Sequence, residues 1–183
     1  MRVVRRTTGL VLLACALVAA GAGRAAAQEV GRSRRELLGV ARRIMEAAHF
    51  ATLVTVDETG RPRPRVMDPF PPDSQMVVWL GTNPRTRKVA QIRNDDRVAL
   101  LYFDPVGSAY VTLLGRARLV DDPGEKRRRF KPEWAALYPD RDRDYLLIAV
   151  APERVELISV RDGVGAVDSL TWRPPAVEFP PRP

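Results

Sequence analysis

Short apolar segments separated by turn sequences fill most of the chain after residue 50, and they constrain the fold more than any other feature. The first such segment, residues 53–56, is rich in β-branched side chains and leads into the turn Asp57-Glu58-Thr59-Gly60. Segments of this kind predict strands, and connections of hairpin length favour antiparallel pairing. The same pattern predicts further strands at residues 61–67, 76–81, 97–103, 108–120, 145–150 and 154–160.

Helices are predicted before and between these strands. Ser33 and Glu36 form a capping-box pattern, after which apolar residues recur at helical spacing up to His49. Asn83 as N-cap and Pro84 at the first helical position indicate a second helix start, and a further helical region is expected at residues 121–137. This order of elements predicts a mainly β (α+β) domain, a closed or nearly closed antiparallel barrel with flanking helices.

Prolines and one glycine predict further details of this barrel. Pro62 and Pro64 lack an amide hydrogen, so their strand is expected at an edge or paired on one side only. Gly115 is expected at a bulge or bend in the longest strand. The proline-rich tail from Pro174 is expected to be extended.

The N-terminal residues have the layout of a signal peptide. Three arginines precede an apolar run at residues 10–20, and Ala25 and Ala27 are the small residues that a signal peptidase requires. We therefore predict that residues 1–27 are removed by cleavage after Ala27, and that the mature protein is exported to the periplasm or the cell exterior. The apolar run is too short for a stable membrane span.

Two alternatives for export remain open. Cys15 ends a sequence that resembles a lipoprotein processing site, but the residues after it stay apolar up to Ala20, which makes lipidation the less favoured route. The pair Arg5-Arg6 is compatible with twin-arginine export of a folded protein and with the basic region of an ordinary signal peptide.

The cysteine and histidine counts exclude several kinds of site. Cys15 is the only cysteine and lies in the predicted signal peptide, so we expect no disulfide and no cysteine metal site in the mature protein. His49 is the only histidine, which excludes a multi-histidine metal site, and we interpret it as a structural or surface residue. Three arginines at residues 127–129 have no accompanying aromatic ladder, so a solvated helix face is favoured over nucleic-acid binding.

The segment at residues 82–88 has the composition of an anion site. It brings hydroxyl groups and three cations to a predicted helix start, where free amide hydrogens attract phosphate. Arginine can bind phosphate through two parallel hydrogen bonds, and lysine adds a compact charge. A solvated basic turn is the alternative interpretation. On an earlier strand, alternation places Arg61, Arg63 and Arg65 on one face, where like charges require an anion or acidic neighbours.

Taken in order, these segments resemble a known family. The resemblance rests on residues 51–56, the turn at Gly60, Arg65-Val66-Met67, Thr82-Asn83, Thr86-Arg87-Lys88, Ile92-Arg93-Asn94, residues 98–102, Gly115-Arg116-Ala117, residues 120–122 and Trp134. They resemble the pyridoxamine 5′-phosphate oxidase-like flavin-binding split barrel, with the general stress protein branch as the nearest likeness. The likeness spans residues 38–159, and it implies a split β-barrel domain at residues 28–160 followed by a C-terminal extension at residues 161–183.

The resemblance implies a cofactor and a phosphate site. The family binds flavin mononucleotide (FMN) at a dimer interface, so a homodimer is expected. By resemblance, Arg65, Arg87 and Lys88 would hold the phosphate, helped by the hydroxyl groups of Thr82 and Thr86.

The resemblance also implies residues around the flavin ring. Val66 and Met67 would line the ring through backbone groups, and Trp134 would reach over from the second subunit. The strand beneath the ring would consist of Trp79, Leu80 and Gly81.

The function implied by this resemblance is an FMN-dependent oxidoreductase whose substrate the sequence does not identify. The flavin would supply the redox chemistry, so no catalytic side chain is assigned. Oxidation of pyridoxamine phosphate is not expected, because that enzyme recognises its substrate with a C-terminal arginine and histidine, and no histidine follows His49. The alternatives are a non-enzymatic flavin-binding or haem-binding module for storage or sensing, and a reductase that uses the deazaflavin F420.

Overall fold

The helices and strands follow the order expected from the sequence. A computed structural model describes residues 32–167 and 169–180. The predicted signal peptide, its cleavage after Ala27 and the alternative of lipidation at Cys15 lie outside the described residues. The helices are α1 (Arg34–Ala48), α2 (Arg87–Asn94), α3 (Pro123–Arg128) and α4 (Arg141–Asp144), with a 3₁₀ helix at Pro132–Trp134. The strands are β1 (Ala51–Val56), β2 (Pro62–Met67), β3 (Val78–Thr82), β4 (Arg97–Asp104), β5 (Ala109–Val120), β6 (Leu146–Ser159) and β7 (Ala176–Glu178).

Antiparallel pairing joins the seven strands into one sheet. The order is β2-β1-β4-β5-β6-β3, and β7 pairs with β6. The predicted class, a mainly β (α+β) fold with an antiparallel split barrel and flanking helices, is confirmed. Strand β2 pairs with β1 alone, which confirms the edge position expected from Pro62 and Pro64. Among the described helices, none combines the length and the apolar composition needed to cross a membrane.

Strand alternation fills the barrel interior with apolar side chains. In β4, buried and exposed residues alternate, so Val98, Leu100 and Tyr102 point inward. Helix α1 covers this core, as its helical spacing predicted, and His49 behind it lies exposed at the surface. The residues that α1 buries are Leu37, Val40, Ala41, Ile44 and Met45.

A second apolar cluster covers the other face of β3. Because β3 is buried on both faces, Leu80 belongs to the barrel core while Trp79 belongs to this second cluster. Gly81 lies against the cluster: a Cβ at this position would approach Trp134 Cζ3 to 2.6 Å and Tyr145 Cε2 to 2.7 Å. The absence of a side chain at Gly81 therefore lets two aromatic rings close over β3. The cluster consists of Val77, Trp79, Val120, Trp134, Tyr145, Leu147 and Ala149.

Strand β6 is longer than the sequence predicted. The prediction of two strands separated near Pro152 is wrong, because β6 runs unbroken over Leu146–Ser159. Its pairing with β5 shifts by one residue between Leu114 and Gly115, so that Glu153 is an extra residue, a β-bulge. A bulge is one of the few places where a strand tolerates proline. The bulge expected at Gly115 is confirmed, with the extra residue on the partner strand.

The helix expected to start at Pro84 begins three residues later. Asn83 Oδ1 accepts a hydrogen bond from the Arg85 amide, and the Asn83 carbonyl oxygen accepts one from the Thr86 amide. Residues 83–86 therefore form a turn, after which Thr86 is the N-cap and α2 starts at Arg87. The prediction of Asn83 as N-cap is wrong, because its side chain is used within the turn.

Two segments differ from the sequence expectation in detail. The helical region expected at residues 121–137 is divided into α3 and the 3₁₀ helix. The tail expected to be extended contains β7, whose Val177 is buried in the barrel core and pairs with Val155 of β6. Pairing with β6 thus attaches the C-terminal segment to the sheet.

We expect Gly81→Ala to destabilise the protein by about 1–3 kcal/mol, because the added methyl group forces Trp134 or Tyr145 to move within a packed cluster. Gly39→Ala is the matched control: Gly39 lies inside α1, and a Cβ there meets only Arg43 Nη1, at 3.8 Å. This control is expected to raise stability by about 0.5–1 kcal/mol through helix propensity. Urea denaturation followed by circular dichroism measures both changes. A Gly81→Ala protein with the wild-type midpoint would contradict the close packing of these rings.

Candidate anion-binding site

Arg65 reaches from β2 across β1 to α2. Its Nη1 donates to Thr55 Oγ1 at 2.6 Å and to the Leu53 carbonyl oxygen at 3.4 Å. Its Nη2 donates to Gln91 Oε1 at 2.9 Å. Thr55 Oγ1 donates to the same Gln91 oxygen at 2.6 Å, which closes the network. Each of these partners is uncharged, so the guanidinium is held in place while its charge is retained.

Lys88 lies where the end of β3 meets the start of α2. Its Nζ donates to Thr82 Oγ1 at 3.1 Å. Thr82 Oγ1 lies 3.2 Å from Thr86 Oγ1, which donates to the Asn83 carbonyl oxygen at 2.9 Å. Lys88 and Gln91 are three residues apart on α2 and therefore share one face of the helix. Strands β2 and β3 thus contribute to one site through α2.

Burial and mutual repulsion act on the cations of this site. Burial lowers the pKa of Arg65 below its ordinary value, and the positive charge of Arg87 lowers it further. Burial also lowers the pKa of Lys88, with a second contribution from Arg65. Across residues 32–167 and 169–180, no carboxylate forms an ion pair with any of these three cations. Together they form a region of uncompensated positive charge that an anion would stabilise.

Other arginines expected near this site are paired elsewhere. Arg63 Nε binds Asp57 Oδ2 at 2.6 Å, and Arg85 Nη2 binds Asp144 Oδ1 at 2.7 Å. The expectation that the arginines of β2 need an anion or acidic neighbours is met for Arg63 by Asp57 in the β1–β2 turn, while Arg65 turns toward α2. An acidic neighbour therefore compensates Arg63, and neutral groups hold Arg65.

The residues expected around a flavin ring divide between surface and core. Val66 is exposed on the outer face of β2, and Met67 is half-buried. Trp134 is buried against Gly81 of its own chain. The strand residues expected beneath the ring are all buried: Trp79, Leu80 and Gly81. The contact of these residues with a flavin stays a prediction.

Sequence reasoning missed Thr55 and Gln91. Thr55 is fully buried, and its alternation with Leu53 on β1 was the available signal that it faces inward. Gln91 follows Arg87 by four residues and Lys88 by three, a spacing that places it on their face of the helix. Both side chains are uncharged, and their role comes from contacts between strand and helix that spacing alone does not predict.

The functional groups of the site suit an oxyanion. Guanidinium, ammonium and hydroxyl groups are hydrogen-bond donors, and the first two also supply positive charge. Within the described part of the chain, no cluster of three or more His, Cys, Asp or Glu side chains is positioned for a metal ion.

Solved structures with a similar fold come from several bacteria. A protein related to general stress protein 26 from Clostridium acetobutylicum has a TM-score of 0.65 and 19% identity, over 80% of this chain and 97% of that chain. General stress protein 26 from Bacillus anthracis has a TM-score of 0.60 and 20% identity, over 76% and 95%. A pyridoxamine 5′-phosphate oxidase-related, FMN binding protein from Nostoc punctiforme has a TM-score of 0.55 and 14% identity, over 82% and 100%.

The sequence also matches a family model. No curated protein matches the chain. The model of pyridoxamine 5′-phosphate oxidase matches residues 37–159, well over half of the 183 residues. The matched segment contains β1 to β6 and α2, and with them every residue of the anion site. The chain therefore belongs to the pyridoxamine 5′-phosphate oxidase family.

Proposed function

We propose that the chain binds FMN, with its phosphate at the site formed by Arg65, Arg87 and Lys88. The observation that carries the proposal is that two partly desolvated cations, Arg65 and Lys88, have only uncharged hydrogen-bond partners and lie close enough to the exposed Arg87 for its charge to act on Arg65. A phosphate dianion fits this donor set, because arginine offers paired N–H donors and the threonine hydroxyls add further hydrogen bonds. The relative from Nostoc punctiforme is described as FMN binding, which supports flavin as the group that bears the phosphate.

We also propose that the protein is an oxidoreductase that works outside the cytoplasm. A bound flavin supplies electron or hydride transfer. The chain's own contribution is to bind and orient: Arg65 and Lys88 would neutralise the phosphate, and Thr82 and Thr86 would offer hydroxyl groups to its oxygens once their hydrogens turn away from Thr86 Oγ1 and the Asn83 carbonyl oxygen. The signal-peptide pattern at residues 1–27 supports export.

A homodimer is the third part of the proposal. The outer face of the sheet exposes apolar side chains on neighbouring strands: Val66 on β2, Leu101 and Phe103 on β4, and Leu114 on β5. Val66 faces Thr52 and Thr52 faces Leu101, so the half-buried Thr52 of β1 lies between the exposed apolar residues of β2 and β4 on one face. Exposed apolar residues grouped on one face are typical of a protein interface. Val66 adjoins Arg65 on β2, which brings this face close to the anion site.

Removal of a cation is expected to weaken FMN binding. Arg65→Ala and Lys88→Ala should each raise the Kd for FMN by about 10- to 100-fold, because a hydrogen bond to a charged group contributes about 1.5–3 kcal/mol. Arg93→Ala is the matched control: it removes one cation from the exposed end of α2, and its effect should stay below about threefold. Fluorescence titration with FMN measures all three. Equal affinity in the wild type and Arg65→Ala would refute the phosphate site.

The redox proposal is tested on the same complex. Bound FMN is expected to be reduced by a nicotinamide cofactor faster than free FMN, because binding orients the flavin toward the electron donor. Stopped-flow absorbance of the flavin band measures this rate, and mass spectrometry of cofactor released from protein isolated from its own host separates FMN from a deazaflavin. Flavin that binds but is reduced no faster than in solution would instead support a passive binding module.

The dimer proposal predicts that a charge on the apolar face separates the subunits. Leu101→Glu should shift the protein to monomer and weaken FMN binding, because an unpaired charge buried in an interface costs several kcal/mol. Sedimentation velocity measures the oligomeric state. Leu137→Glu introduces the same change at another exposed leucine and should leave the sedimentation coefficient unaltered. A wild-type protein that sediments as a monomer with FMN bound would exclude the dimer.

A further inference from the structure

The Arg65 guanidinium has two hydrogen-bonding edges, and contacts with Thr55 and Gln91 occupy one of them. Thr55 Oγ1 and Gln91 Oε1 lie 2.6 Å apart and accept from Nη1 and Nη2, respectively. Nε and the second Nη2 hydrogen have no partner in the portion of the chain that the structure describes. Two neighbouring N–H groups on one guanidinium are the arrangement that binds two phosphate oxygens in parallel.

The side-chain amide of Gln91 can serve Arg65 only through its oxygen. Arginine has no acceptor, so the amide nitrogen cannot replace Oε1 in this contact. Thr55 donates its single hydroxyl hydrogen to Gln91 and accepts from Arg65, which satisfies a fully buried hydroxyl group. The guanidinium is therefore oriented by two acceptors that carry no charge.

The neutrality of these acceptors has a physical consequence. A carboxylate at residue 91 would make the same hydrogen bonds and also neutralise Arg65, as Asp57 does for Arg63 on the same strand. A guanidinium that is already paired attracts a dianion much less than one that is not. The amide of Gln91 thus combines two properties, orientation of Arg65 and retention of its full charge.

We propose that Gln91 is a positioning residue that orients Arg65 without neutralising it, and that it thereby sets the preference for a flavin bearing a phosphate monoester over the same flavin without phosphate. This inference rests on the proposed FMN function and extends it to selectivity. Thr55 supports the same orientation from β1.

The test compares the Kd for FMN with the Kd for riboflavin, which lacks the phosphate, in the full chain. Gln91→Glu is expected to lower the ratio of riboflavin Kd to FMN Kd by about tenfold or more, because a carboxylate neutralises Arg65. Asn94→Asp is the matched control, since it makes the same amide-to-carboxylate change at an exposed residue of α2, and the ratio should stay within about twofold of the wild-type ratio. Gln91→Met, which removes the acceptor and adds no charge, should lower the ratio by about three- to tenfold.

The outcomes separate the role of Gln91 from the site itself. A wild-type ratio in Gln91→Glu overturns the proposal, and so does an equal loss of affinity for both flavins, which would indicate structural damage. If circular dichroism shows that Gln91→Glu does not fold, Gln91→Met replaces it in the test. A wild-type ratio of riboflavin Kd to FMN Kd in Gln91→Met then overturns the proposal. A wild-type protein that binds FMN no more tightly than riboflavin overturns the proposed phosphate site, and the role of Gln91 falls with it.

Discussion

The candidate anion site depends on one constraint, the mutual repulsion of cations that are partly shielded from water. Burial lowers the pKa of Arg65 and Lys88, and each cation is further destabilised by a like-charged neighbour. Such a cluster persists only where rigid elements hold it, because flexible cationic side chains would separate into water. Here Thr55 on β1 and Gln91 on α2 anchor Arg65, and Thr82 at the end of β3 receives Lys88. The barrel thus holds cationic side chains in fixed positions where a bound anion would compensate their charge.

Strand β6 and the second apolar cluster hold β3 in place, and with it the Thr82 side chain that contacts Lys88. The first half of β6 pairs with β3 from Thr82 to Val78, while its other edge pairs with β5 along the strand. Beyond the bulge at Glu153, β6 pairs with β7. Trp134 and Tyr145 close over Gly81, one residue before Thr82. The position of the Thr82 hydroxyl beside Lys88 therefore depends on packing of an aromatic layer on the far face of β3.

Much of the fold and part of the site could be predicted from the sequence. Alternation and turn chemistry located the strands, and Pro62 and Pro64 indicated an edge because a missing amide hydrogen is a local property. The cationic segment at residues 82–88 likewise predicted a cluster of positive charge, because residue type is also a local property, and anion binding there stays a prediction. The continuity of β6 across Pro152 could not be predicted, because the bulge exists only through pairing with β5. The start of α2 at Arg87 could not be predicted either, because the Asn83 side chain accepts a hydrogen bond from the Arg85 amide within the preceding turn instead of capping a helix.

The sequence by itself determined which residue types were present at this site and on which face of its strand or helix each one lies, because periodicity and propensity act over a few neighbouring residues. Only the tertiary structure decided how the charges are partnered. Arg63 and Arg65 are two residues apart on one strand, yet the first meets the carboxylate of Asp57 and the second meets the amide of Gln91. Electrostatic partnership depends on distances of a few ångströms between separate elements, and strand register and helix docking set those distances.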